Sequence, residues 1–129
     1  MESIRPARRV SRVHPTTRRP AAITAIEILG YVGVLFWLST IVGSFTSGAD
    51  NAGQVLIVGL ILGGAHIVIA LGARRRSRLA LYAMAVVLIS DSLLTIFVDV
   101  RAILLVLFTV VLIALAWTQR TWWSTATER

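Results

Sequence analysis

Four runs of about twenty mostly apolar residues, separated only by short polar links, leave this chain few ways to fold. The runs extend from about Ala21 to Gly43, Ala52 to Ala73, Leu79 to Val98 and Ala102 to Thr118. Each is long enough to cross the hydrocarbon core of a bilayer as a helix. Hydrocarbon offers no hydrogen-bond partner to an open backbone, and the alternating pattern of a barrel strand is missing, so helices are the expected form. Apolar residues are 57% of the chain, against about 45–50% in soluble domains. The links are "SFTSGADNAG" (44–53), "RRRSR" (74–78) and "DVR" (99–101). Short links make neighbouring helices antiparallel. The expected fold is therefore all-α: an up-down four-helix transmembrane bundle over residues 21–118. The three-residue third link is at the short end for a helical hairpin, so a re-entrant third segment is the competing geometry.

All thirteen basic residues are arginines, and their placement is lopsided. Arg5, Arg8, Arg9, Arg12, Arg18 and Arg19 precede the first run, Arg74, Arg75, Arg76 and Arg78 fill the second link, and the first link has none. By the positive-inside rule both termini and the second link face the cytoplasm. Residues 1–20 carry three prolines and too little apolar surface to fold, so they read as a disordered basic tail. They are also too polar for a cleavable signal peptide, which makes the first helix a signal anchor. Residues 119–129 read as a second short cytoplasmic tail. The arginines suit anionic lipid headgroups, at about 1 kcal/mol each. A nucleic-acid partner is disfavoured because no aromatic residue interleaves them. The Arg, Ala, Val, Leu and Gly bias suggests a GC-rich bacterium and its cytoplasmic membrane. Trp117, Trp122 and Trp123 fall where the fourth helix should leave the bilayer, and are expected to be interfacial anchors.

Function must rest on a few polar positions. Ionisable groups inside membrane segments are costly and usually face a bundle interior, and Glu27, His66 and Asp91 qualify. At 1.5 Å per residue, Glu27 lies roughly 9 Å into the first helix and His66 roughly 10 Å above the end of the second. Antiparallel neighbours at that depth are expected to share a hydrogen bond. Asp91 is expected to pair with Arg101 at the outer turn, or to leave that role to Asp99. Ser90, Ser92 and Thr95 would join it in a small polar pocket on the outer side. Gly59, Gly63 and Gly64 on the second helix, and Gly30 and Gly33 on the first, are small residues suited to close packing within the bundle. No Cys is present, His66 has no second His nearby, and no catalytic motif is recognisable, so neither a metal, a cofactor nor an enzyme is expected.

The stretch "GLILGGAHIVIALGARRRSRLALYAMAVVL" (59–88), with its "GARRRSRLA" turn, resembles the small four-helix membrane proteins common in actinobacteria. That resemblance implies the same architecture but no activity. Size, four spans and Glu27 are also similar to the small multidrug-resistance transporters, from which the basic tail and the placement of Glu27 depart. Two functions follow as expectations. The first is a non-enzymatic accessory component that binds lipid, other membrane helices or its own copies. The second is a small oligomeric transporter or channel for protons or a cationic solute. They differ in one observable: transport requires the intramembrane polar groups to converge on a common cavity. The topology is checked with reporters. One fused after Arg129 should report the cytoplasm and one inserted at Gly48 the exterior; the same side for both would overturn four spans.

Overall fold

The computed structural model describes residues 18–124, which contain five α-helices and one 3-10 turn. They are α1 (Ala21–Thr46), α2 (Ala52–Arg75), α3 (Leu79–Phe97), the turn Val100–Ala102, α4 (Ile103–Thr118) and α5 (Arg120–Ser124). Four helices, taking the turn with α4, are long and apolar enough to cross a membrane. Packing runs round a ring, α1 on α2, α2 on α3, α3 on α4 and α4 back on α1, with the α1–α2 contact the most extensive. The expected bundle is present, and α3 and α4 pack as a helical hairpin in which each arm is long and apolar enough to cross a membrane. Its corner closes where the Asp99 carboxylate accepts the Arg101 backbone N–H at 2.9 Å.

Two helices run past their expected ends. In α1 the Ser44 and Thr46 hydroxyls donate back to the carbonyls of Ile41 and Val42, so polar side chains continue the helix without water. In α2 the last turn takes up Arg74 and Arg75, cations that suit the negative end of the helix dipole. Between α1 and α2, Gly48 turns the chain at φ +66°, a conformation open to glycine at little cost.

Close approach of α1 to α2 depends on missing side chains. A methyl at Gly30 would come within 2.9 Å of Ala70 Cβ, one at Gly59 within 2.7 Å of Ile41, and one at Gly33 would clash with the His66 imidazole at Cδ2. Gly63 meets Trp37 at ordinary contact distance. Gly64 is different: a methyl there would meet nothing within 4 Å, so the packing role expected for it is not present. Gly72, not singled out from sequence, lets Ala80 of α3 pack so closely that a methyl at Gly72 would lie 2.7 Å from the Ala80 Cβ, and this close approach tightens the arginine turn.

The segment after α4 is not a free tail as far as Ser124. The Trp122 indole donates to the Ala73 carbonyl at 3.2 Å, and the Arg76 guanidinium lies 3.9 Å above its ring. Trp123 is buried and donates to the Ala116 carbonyl at 3.2 Å. These two indoles bond to carbonyls near helix ends within the protein, which the expectation of interfacial anchors did not include, whereas Trp117 is 70% exposed. The tail of residues 1–20, with Arg5, Arg8, Arg9 and Arg12, lies outside the described residues up to position 17.

Glycine substitution separates close contact from open surface. Gly33→Ala should destabilise the bundle by about 1–3 kcal/mol through overpacking. Gly64→Ala should be neutral or stabilise by about 0.5–1 kcal/mol, because alanine favours helix and nothing obstructs it. Thermal midpoints in detergent give the comparison; equal effects would remove the close-packing account.

Candidate functional site

The polar groups of the bundle sort into two sets. Glu27 and Arg19 form an ion pair at the arginine-rich end, so the expected Glu27–His66 hydrogen bond is absent. The physical reason is register: His66 packs against Gly33, six residues or about 9 Å further along α1 than Glu27, while Arg19, two residues before α1, extends its long side chain to the carboxylate. Nor does Asp91 meet Arg101. Its Oδ2 accepts from the Thr109 hydroxyl of α4 at 2.8 Å, and its side chain is 2% exposed. Arg101 is exposed at the far turn.

The outer pocket expected from Ser90, Ser92 and Thr95 is also not formed around Asp91. Ser92 and Thr95 donate to the Leu88 and Asp91 carbonyls of their own helix at 2.7 and 2.8 Å. Ser90 lines a separate apolar groove with Leu62, Leu93 and Phe97. In lipid a hydroxyl is most cheaply satisfied one turn back, and only a side chain pointing at a neighbouring helix escapes that fate.

Instead the structure brings Asp91 together with His66, at mid-depth in the bundle. By helix rise, Asp91 lies roughly 18 Å and His66 roughly 14 Å from the arginine-rich ends of α3 and α2. Both line a cavity of about 120 Å³. α1 contributes Val32, Gly33, Phe36 and Trp37, and α4 contributes Leu105 and Phe108. All four spans therefore build it. The room for the imidazole comes from Gly33, and the Phe108 ring lies 6.3 Å from it, centroid to centroid.

Hydrogen bonding fixes how each group carries protons. His66 Nδ1 lies 2.7 Å from the Leu62 carbonyl, which can only accept, so Nδ1 bears a hydrogen in either charge state. Nε2 is then the atom that gains or loses a proton. On Asp91, Oδ1 is buried and has no hydrogen-bond partner among the described residues. Thr109 has one hydroxyl hydrogen and two acceptors in range, Asp91 Oδ2 at 2.8 Å and the Leu105 carbonyl at 3.0 Å. When Asp91 is ionised the hydrogen goes to the carboxylate. When Asp91 is protonated on Oδ2 it donates to Thr109, whose own hydrogen turns to Leu105. The site accommodates both states by rotating one hydroxyl. Thr109 was not found from sequence, since a lone threonine in an apolar helix gives no signal until its partner is known.

Among the described residues no three His, Asp or Glu come together as a metal would need. What the fold and site define is an all-α, multi-pass membrane protein with one buried imidazole and one buried carboxyl sharing a cavity. Comparison with family profiles, curated proteins and solved structures finds no match to the chain.

Paired substitutions test the assignment of Asp91's partner. Asp91→Asn and Arg101→Gln should add within about 0.5 kcal/mol, as distant sites do. Asp91→Ala, which removes the acceptor, and Thr109→Val should be coupled by about 0.6–1.7 kcal/mol, the usual to upper range for polar contacts between membrane helices. Thermal unfolding of the singles and doubles in detergent gives both numbers, and the reverse pattern would restore Arg101 as partner.

Proposed function

We propose that this is a non-enzymatic membrane protein that takes up and releases a proton or small cation at the His66–Asp91 cavity, as the working unit of a small transporter or channel. The observation that carries this reading is convergence: two ionisable groups from different helices line one cavity at mid-depth, built by all four spans. A structural clasp needs no cavity and no carboxylate oxygen left without a partner. Glu27 stands apart with Arg19 and takes no part in the site. The chemistry available is one proton exchanged among Oδ1 and Oδ2 of Asp91 and Nε2 of His66, with the Thr109 hydroxyl following it. A transfer between the two groups leaves either a neutral pair or an ion pair, so the net charge in the hydrocarbon does not change. That lowers the cost of holding ionisable groups there.

The arginine distribution supports a cytoplasmic location for the arginine-rich end, in the membrane of a bacterium, against anionic headgroups. A second reading, an accessory component bound to another membrane helix or to its own copies, is favoured by α4. Only 17% of its spanning window is buried, against 39% for α2, so one side of the bundle has an uncovered helix. The two readings are compatible in an oligomer.

The test is proton or cation flux into liposomes containing the purified chain, read by an internal pH dye under an imposed gradient. Asp91→Asn should lower flux at least tenfold while leaving the fold intact, because the amide still accepts from Thr109. Glu27→Gln should leave flux unchanged. Equal flux in wild type and Asp91→Asn would sink the transport reading and leave the accessory one.

A further inference from the structure

At the arginine-rich end a second cavity, of about 450 Å³, opens between α3 and α4. Its walls are apolar: Leu81, Met84 and Ala85 from α3, and Ile113 from α4. Arg78, just before α3, and Arg120, the first residue of α5, both line it. Two arginines from different elements therefore border one apolar cleft. Trp117, 70% exposed, forms its rim, and Trp123, held by the Ala116 carbonyl, its floor. This site is distinct from the His66–Asp91 cavity and shares no residue with it.

We propose that this cleft binds one anionic phospholipid, its phosphate between the Arg78 and Arg120 guanidinium groups and one acyl chain between α3 and α4. The cleft joins positive charge at its border to apolar depth between the helices. An acyl chain gains little by leaving surrounding lipid for an apolar cleft, since both are hydrocarbon. Selectivity must come from the headgroup. Guanidinium groups present a planar fork of donors that matches phosphate oxygens, and two arginines line this cleft. Basic clefts between membrane helices on the cytoplasmic side are suited to anionic headgroups for this reason. Arg74 and Arg75 belong to the same arginine turn but do not line the cleft, so they contribute charge without forming the site. The docking of α5 through Trp122 and Trp123 acquires a purpose: it holds Arg120 at the cleft that Arg78 also lines.

The experiment is native mass spectrometry of the full chain released from nanodiscs of phosphatidylcholine and phosphatidylglycerol in equal amounts. One phosphatidylglycerol per chain should be retained, with a preference of roughly 30-fold over phosphatidylcholine for two arginines near a headgroup. Arg78→Gln with Arg120→Gln should reduce that preference to within about threefold of parity, whereas Arg74→Gln with Arg75→Gln should preserve it. Should the first pair fail to fold, Ile113→Trp keeps both charges and fills the cleft, and lipid retention should be lost. The proposal is overturned if phosphatidylglycerol is not preferred, if the two arginine pairs act equally, or if Ile113→Trp retains the lipid. Lipid-free dimers, or a cleft that takes lipid only once residues 125–129 are removed, would assign it to a second copy or to the chain's own C-terminus and would also overturn it.

Discussion

The contact of α1 with α2 at glycine is the constraint from which the site follows. Between two helices in lipid there is little hydrophobic gain, because the displaced solvent is hydrocarbon, so close van der Waals packing must hold them. Gly30 against Ala70 and Gly59 against Ile41 set the approach, and Gly33 then leaves a hollow that a methyl would close. The His66 ring occupies it. The imidazole is therefore held by backbone proximity on one side and by the Leu62 carbonyl on its Nδ1, with little freedom to turn. α3 and α4 complete the cavity around a ring already fixed in place.

Most polar groups within the spans are neutralised locally. The hydroxyls of Thr40, Ser44, Thr46, Ser92, Thr95 and Thr118 all donate to carbonyls three or four residues earlier, as lipid demands. Thr109 alone among the hydroxyl bonds in these spans reaches another helix, and it reaches the one carboxyl at mid-depth. Asp91 gains a partner able to serve both of its protonation states, yet keeps one oxygen without any among the described residues. A buried carboxyl that is half satisfied is costly to retain for stability alone, which is why the arrangement points to chemistry.

The two ends of the bundle are built differently. At one end, Gly48 and an Asp99 cap suffice to turn the chain. At the other, Arg76 adopts φ 57° to close α2, an uncommon conformation for a side chain of its size, and its guanidinium lies over Trp122. The indole in turn takes the Ala73 carbonyl. A residue that is mildly strained in its backbone is thus held by the segment that follows α4, and the arginine-rich end becomes the more rigidly knitted of the two.

Hydropathy by itself determined that there are four spans, that they are helical, and where they begin and end to within a few residues. This is because the free energy of placing a residue in hydrocarbon is a local property that sums along the chain. It also marked Glu27, His66 and Asp91 as out of place. Which of them meet was decided only by the tertiary structure. Glu27 and His66 looked matched because depth was counted from an expected helix end, but α2 runs on to Arg75 and His66 packs opposite Gly33, and a depth count in any case leaves open a side chain's direction about the helix axis. That direction is set by packing, and packing turned His66 toward Gly33, Asp91 toward Thr109 and Glu27 toward Arg19. Likewise the tryptophans at the end of α4 had an interfacial position from sequence, and only the fold of α5 decided that Trp122 and Trp123 would bond to helix ends while Trp117 remained exposed. Local transfer energies specify the spans, and non-local contacts specify the rotation of each span, on which every polar pairing depends.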